Sequence, residues 1–385
     1  MAIVLDSQRG LFEIPDDVAY LNCAYMSPQL HAVKEVGERS VARKSRPWEI
    51  TPQDFFEDSE TARRLFAEIV GGEAGGVAII PSVSYGMAVA ATNVPVEAGQ
   101  SIVVLGEQFP SNVYPWRELA KRTGAKLITV QRPADHDWTG AILKHLDENT
   151  AVVAVPNCHW TDGSFVDLRR VGERAREVGA ALVVDAIQSL GAYPLDVSEV
   201  RPDFLVAGSY KWLLGPYGLG FMYVGDEYRE GAPIEHNWIN RRGSEDFSRL
   251  VQYEDAFQPG ARRFDVGERS NFILLPMANE ALRQILAWGV DNIAGTLKAL
   301  TARIGDEASG LGIKVVPAER RVGHMIGLDL GPEAPGDLAA RLARENVFAS
   351  VRGRSLRISP HLYNTEKDVE RLFDSLTRHA RLGAG

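Results

Sequence analysis

At 385 residues the chain is too long for one small core and suits a large domain with a smaller companion. Its composition is that of a globular protein, 45% hydrophobic and 24% charged, and 42 basic against 51 acidic residues leave a net charge of −9 with no basic block. That balance argues against a nucleic-acid binder held by backbone phosphates and against a polybasic membrane anchor. Two cysteines, Cys23 and Cys158, make no disulfide framework, so a reducing compartment is expected.

The opening MAIVLDSQRGLFEIPDD turns acidic too soon for a signal peptide, and no apolar run approaches the roughly 20 residues of a membrane span. A cytoplasmic location with no membrane partner follows as the expectation. Residues 19–27, AYLNCAYMS, read as a buried strand. Residues 29–45 and 51–70 read as helices, the second amphipathic through Phe55, Phe56, Leu65, Phe66, Ile69 and Val70. In 75–94 a buried strand runs through Pro81, Ser82, Val83 and Ser84 into an alanine-rich helix. Free backbone N–H groups and the positive end of a helix dipole at such a turn suit a phosphate.

Strands follow at 101–105, 126–130 and 151–156, the last opening onto Asn157 to Gly163. A helix ending at Gly179 leads into residues 182–224, which read as strand, loop, strand, reactive turn, strand. From Asn279 a long helix runs to about Ile304. Short strands come next, near 313–316, 324–330, 347–351 and 356–358, with a helix between, and an amphipathic helix over 366–380 closes the chain. The expected division is a lead segment 1–28, a large unit 29–278 and a smaller α+β unit 279–385. There is no dinucleotide fingerprint, no zinc-ligand spacing and no internal repeat, so no metal is expected.

The chemistry is plainest in 182–224. The first strand delivers Asp185 and Gln188 at its carboxyl end, and the second delivers Ser209, Tyr210 and Lys211 to the same sheet edge, where open α/β sheets bind ligands. A carboxylate and a lysine placed this way are what a pyridoxal phosphate enzyme needs most. The amine condenses with the cofactor aldehyde, and the carboxylate keeps the pyridine nitrogen protonated so that the ring accepts electrons. Asp185 with Gln188 three residues on, and the Gly-Ser-Tyr-Lys turn at 208–211, resemble the class V aminotransferase family of fold type I pyridoxal phosphate enzymes, which includes cysteine desulfurases, kynureninases and isopenicillin N epimerase.

The resemblance implies the α/β fold of that type, with a mostly parallel central sheet in the large domain, and pyridoxal 5'-phosphate as cofactor. It makes Lys211 and Asp185 catalytic. Ser82, Val83 and Ser84 match the phosphate cradle, and Phe109 stands where desulfurases stack a His on the ring. Thr161 is the implied donor to the ring oxygen, with His159 in the pocket and Trp160 as a wall. Gln188 corresponds to the residue that hydrogen-bonds the ring hydroxyl, and Ser209 and Tyr210 to phosphate ligands. Asn22, Cys23 and Tyr25 are expected to line the substrate pocket. Arg357, followed by SPHLYNT, stands where the family clamps the substrate α-carboxylate, a task suited to the planar arginine fork. Trp238, Ser270 and Asn271 resemble positions near the neighbouring subunit's site, which implies a homodimer with shared sites.

The reaction is less constrained. Desulfurases of this family carry a persulfide-forming Cys on a C-terminal loop, and residues 345–385 hold none. Without that relay, β-elimination from a cysteine-like substrate, kynureninase-like cleavage, and transamination or epimerisation remain. The first two both fit Phe109 and Ser-Tyr-Lys, with C–S lyase activity the favoured expectation, and a scaffold retaining the fold without cofactor is the non-enzyme alternative.

Overall fold

The computed structural model describes residues 3–331 and 334–379. The strands are β1 (Ala19–Tyr20), β2 (Val77–Ile80), β3 (Ser101–Leu105), β4 (Lys126–Val130), β5 (Thr150–Pro156), β6 (Ala181–Asp185), β7 (Phe204–Gly208), β8 (Gly220–Val224), β9 (Lys314–Val315), β10 (Ile326–Asp329), β11 (Val347–Phe348), β12 (Ser350–Arg352) and β13 (Ser355–Ile358). Among the helices are α1 (His31–Lys44), α2 (Asp54–Ile69), α3 (Val83–Asn93), α4 (Tyr114–Thr123), α5 (Trp138–Leu143), α6 (Leu168–Glu177), α7 (Val197–Val200), α8 (Leu274–Trp288), α9 (Val290–Gly310), α10 (Leu338–Arg344) and α11 (Glu366–His379).

Seven strands form the central sheet in the order β2-β8-β7-β6-β5-β3-β4. Strand β8 runs antiparallel to both β7 and β2, and the other pairings are parallel, as expected of a mostly parallel sheet. The inner strands are buried on both faces, which explains their near-continuous Val, Ile, Leu and Ala runs. Successive side chains split between two cores. Val153, Val155, Leu182, Val184 and Leu205 pack on one face, and Val152, Ala154, Val183, Phe204 and Val206 on the other. Because β3, β5, β6 and β7 are parallel, the loops carrying Phe109, Thr161, Asp185 and Lys211 all leave the same edge.

A second, four-stranded antiparallel sheet, β12-β13-β10-β9, packs with α9 and α11 around Ile304, Leu328, Leu356 and Leu372. The lead segment joins it: β1 pairs in parallel with β11, and Asn22 bridges to Ser359. The helix expected over 279–304 is two helices, with α8 starting earlier at Leu274 and breaking at Gly289. That residue's φ of 78° is a conformation that glycine alone adopts without strain. The closing helix begins at Glu366 as expected, and its expected end at Ala380 lies outside the described residues. No described helix is long and apolar enough to cross a membrane.

One edge of the central sheet is closed by charge. Asp265, fully buried, accepts the N–H of Ile79 in β2 at 2.7 Å and that of Arg63 Nη1 at 3.0 Å, and pairs as well with Arg63 Nη2 and with Arg269 Nη1 at 2.8 Å. Arg63, on α2, also donates to the carbonyl of Val77. Removing one member strands the others as uncompensated buried charges. Asp265→Ala is therefore expected to destabilise the fold by about 3–5 kcal/mol. Urea unfolding that shifts by less than ~1 kcal/mol would show that water or local rearrangement replaces the carboxylate.

Candidate active site

Strand β7 ends at Gly208, and the turn that follows is pinned from behind, since Ser209 Oγ donates toward the main-chain carbonyls of Leu219 and Pro216. The turn projects Lys211 inward, 6% exposed, with Nζ 5.6 Å from the ring centre of Phe109 and 5.5 Å from that of Tyr210. Burial, then the positive fields of Arg357 and Arg352, push its amine down to about 8 against the opposing pull of Asp185. Asp185, at the end of β6, accepts the Ile187 N–H at 3.2 Å, and burial raises its carboxyl to about 6. Beside it Gln188 accepts the indole N–H of Trp212 at 3.2 Å and donates to the carbonyl of Ala24 at 3.2 Å. Asp185 and Gln188 border a small cavity whose wall also includes Phe109, Cys158 and Trp160.

On the same sheet edge Ser82 caps α3, its hydroxyl accepting the Tyr85 N–H at 3.2 Å and lying 2.9 Å from Ser84 Oγ. The first turn of α3 contains no acidic residue, so its N-terminus stays open to an anion. Arg357, from β13, closes the opposite side. It is 1% exposed, donates from Nη1 to the Trp160 carbonyl at 2.8 Å, and has no partner for Nε among the described residues. Burial, then Arg352, push its guanidinium down to about 9. A buried cation with an unused donor is a place for a carboxylate.

Residues 30–372 match the family model described as Aminotransferase class-V. The chain belongs to the class V aminotransferase family. A relative named as an uncharacterized aminotransferase of Bacillus subtilis is 27% identical over 92% of this chain and 91% of its own length. Among solved structures, an apo cysteine desulfurase of Thermococcus onnurineus superposes with a TM-score of 0.83 at 19% identity, covering 99% and 100% of the two chains. A cystine C–S lyase in complex with cysteine persulfide gives 0.83 at 16%, covering 96% and 98%.

Pyridoxal 5'-phosphate is the cofactor of this class V aminotransferase, and the residues fit it. A buried amine near the ring of Phe109, a buried carboxylate in the cavity that Phe109 borders and a capped helix N-terminus stand along one sheet edge, as holding an aldehyde, a pyridine nitrogen, a ring face and a phosphate requires. Lys211, Asp185, Phe109, Gln188 and the cradle of Ser82, Val83 and Ser84 lie together along this edge.

Other expected residues are placed differently. Cys23 does not line the pocket: it is fully buried, its Sγ lies 3.8 Å from the Lys211 carbonyl, and burial pushes its thiol up to about 12. His159 is stacked at 8° on Trp138, fully buried, with burial lowering its pKa. Its Nε2 faces the Gly106 carbonyl at 3.2 Å, which accepts only, so that nitrogen carries the proton and Nδ1 accepts from Thr161 at 2.8 Å. The Thr161 hydroxyl, which also accepts from Arg132 at 3.0 Å, therefore supports the loop instead of donating to a ring oxygen. Ser209 is likewise spent on loop carbonyls, which leaves the half-buried Tyr210 as the more accessible member of that pair.

Asn22 uses its carbonyl oxygen on Ser350 Oγ at 2.9 Å, and Tyr25 is 55% exposed. Trp238, Ser270 and Asn271 line a separate cleft with Phe55. There Ser270 donates to the Phe55 carbonyl and Asn271 caps α8 through Leu274, so within one chain they do not meet Lys211. Three contributors escaped the sequence reading. Trp212 orients Gln188; Arg132 ties Glu107 to Asp162; Arg352 lies over Trp160. The alternation of side chains in 350–357, which sets Arg352 on the face of Arg357, was the available signal for the last.

Asp185 also makes a stability statement. Its folded-state value lies above the ordinary 3.8, so the fold disfavours the ionised form. The stability linked to this group is fully present below about pH 4 and lost as pH rises through about 6. In the cofactor-free protein Asp185→Asn is expected to raise stability by roughly 2–4 kcal/mol at pH 8, with the gain vanishing toward pH 4. Melting curves across that range check it. A gain that does not change with pH would show that ionisation of Asp185 is not its cause.

Proposed function

We propose that this class V aminotransferase is a pyridoxal phosphate-dependent carbon–sulfur lyase that eliminates sulfur from Cβ of a cysteine-type α-amino acid. The observation that carries the reading is the state of the thiols. Both cysteines are fully buried, burial raises both pKa values, and residues 345–385 contain no third. Cys158 borders the cavity, but burial disfavours the thiolate that would take up sulfur, so sulfur removed from a substrate leaves as free product. The wall facing Lys211 supports the same reading, because Phe109 and Trp160 meet edge to face at 5.4 Å and present aromatic surface that favours sulfur.

The bound cofactor supplies the electron sink that acidifies the substrate Cα–H. Lys211, with its amine pushed down to about 8, is partly neutral near pH 7–8 and takes the α-proton. Arg357 holds the α-carboxylate and so fixes which Cα bond stands ready to break. The C–S bond breaks with its electron pair on sulfur, which acquires a proton and leaves as a thiol. The three-carbon remainder adds water and ends as pyruvate and ammonium. Phe109 stacks and excludes water but moves no proton. Asp185 holds the protonated pyridine nitrogen.

The reading includes a homodimer, supported by the 40% exposed Trp238, which packs against Phe55 and Phe247 beside Ser270 and Asn271. Transamination is the second reading, favoured by the name of the Bacillus subtilis relative.

Incubating the holoenzyme with S-substituted cysteines and no keto acid is expected to give pyruvate and thiol in equal amounts over many turnovers. One burst ending in the pyridoxamine form, with turnover restored by a keto acid, would make it an aminotransferase; release of alanine from kynurenine, with no pyruvate from the cysteines, would indicate kynureninase-type cleavage. Arg357→Ala is expected to lower kcat/KM about 10- to 150-fold, the equivalent of a charge-assisted hydrogen bond. Most of that loss should disappear when α-carboxylate esters replace the acids. Equal losses for acids and esters would remove the carboxylate clamp.

A further inference from the structure

The hairpin β12–β13 presents two arginines on one face. Ser350 pairs with Arg357 across the strands and Arg352 pairs with Ser355, so Arg352 sits diagonal to Arg357 on the same side of the pleat. Arg354, at the turn, goes elsewhere and pairs with Asp329 at 3.4 Å. The guanidinium of Arg352 lies 5.7 Å over the ring of Trp160, the side chain that meets Phe109 and lines the cavity. Its only hydrogen bond among the described residues goes to the neighbouring Val351 carbonyl, at 2.8 Å, and no acidic side chain pairs with it. Its charge is felt inside the site, since it lowers the pKa of both Arg357 and Lys211.

The charges of the pocket do not balance. Arg132, nearby, is matched by Glu107 and Asp162. Lys211, Arg352 and Arg357 face one carboxylate, Asp185, which is assigned to the cofactor nitrogen. A substrate α-carboxylate on Arg357 leaves Arg352 unmatched at the end of the aromatic wall. Trp160 links the two: it borders the cavity beside Phe109 and carries the Arg352 guanidinium on its ring.

We propose that Arg352 is a specificity-determining residue that binds a second anionic group on the substrate side chain, so that the preferred substrates are dianionic amino acids whose sulfur substituent ends in a carboxylate or similar anion. The proposal rests on the pocket assignment above and names the substrate class of the same site. A distal anion over Trp160 receives the planar donor fork of Arg352 while its alkyl portion covers the aromatic wall. A neutral or cationic side chain would leave the arginine unpaired.

Calorimetric titration of the holoenzyme with glutarate and adipate, and with the monoanions pentanoate and hexanoate, reads binding without chemistry, because none of these has an amine to react. The dicarboxylates are expected to bind about tenfold more tightly than the monoanions of equal length. Arg352→Gln should bring that ratio close to one, and Arg352→Lys, which keeps the charge without the fork, should leave it in between. The proposal is overturned by a ratio near one in the unaltered protein, or by one that Arg352→Gln leaves unchanged, melting temperature and cofactor content serving as controls on folding. A parallel comparison of S-(2-carboxyethyl)cysteine with S-propylcysteine separates the two ideas. No elimination from either, with the dicarboxylate preference intact, removes the lyase reading and keeps the second anion site. Elimination from both at equal kcat/KM, with no dicarboxylate preference, does the reverse.

Discussion

A single buried carboxylate, Asp265, held between Arg63 and Arg269, is the constraint on which the geometry of the site rests. It occupies the outer edge of β2, where an unpaired strand would offer its N–H and C=O groups to any passing chain. The pairing fixes α2 and the segment around Asp265 against the strand that leads directly into Ser82, Val83 and Ser84. Val266 adds a main-chain bond to the Ile79 carbonyl at 3.0 Å, so both polar groups of one edge residue are satisfied from outside the sheet. Charge is an expensive way to close an edge, because each ion must leave water. What it confers is register: a carboxylate bonded to a main-chain N–H and two guanidinium groups has one arrangement, where an apolar plug would have several.

The site repeats that logic with the opposite sign of balance. At the Asp265 edge the buried arginines pair with carboxylates, although Arg269 Nε has no partner among the described residues; around Lys211 the cations have fewer such partners. Lys211 is held down to about 8 and Asp185 up to about 6, both chiefly by burial, and Arg357 keeps a donor unused. Such a pocket is costly to the empty fold and gains when a dianionic, cationic-ring cofactor and a carboxylate-bearing substrate enter. Stability is thus spent where ligands return it.

Much of this was legible in the sequence, for reasons that can be traced. Strands buried on both faces must be continuous apolar runs, so 101–105 is read to the residue, and the edge strand 126–130 is read equally well through its β-branched LITV. Their carboxyl ends then fix where Asp185 and Lys211 emerge. Helix breaks are harder: Gly289 lies in an otherwise helical pattern, and only its positive φ separates α8 from α9. Within the 157–163 loop the sequence names the polar groups but not their partners. Thr161 and His159 look like ligands until Arg132, remote in sequence, and Gly106 are seen to satisfy them. Cys23 misleads in the same way, because a small apolar thiol in a strand and a pocket thiol are spelled alike. Hydrogen-bond partners come from other elements, and one strand's pattern does not encode them.

The pairing of β1 with β11 sets a timetable for biosynthesis. Ala19 and Tyr20 leave the ribosome long before their partners Val347 and Phe348. At roughly 5–20 residues per second the lead segment spends tens of seconds without its strand partner. Over that interval the central sheet, the Ser82 cradle and Lys211 have all been translated, while Arg357 and the hairpin that carries it have not. The cradle and Lys211 are therefore translated before the hairpin that carries Arg357 can close over them.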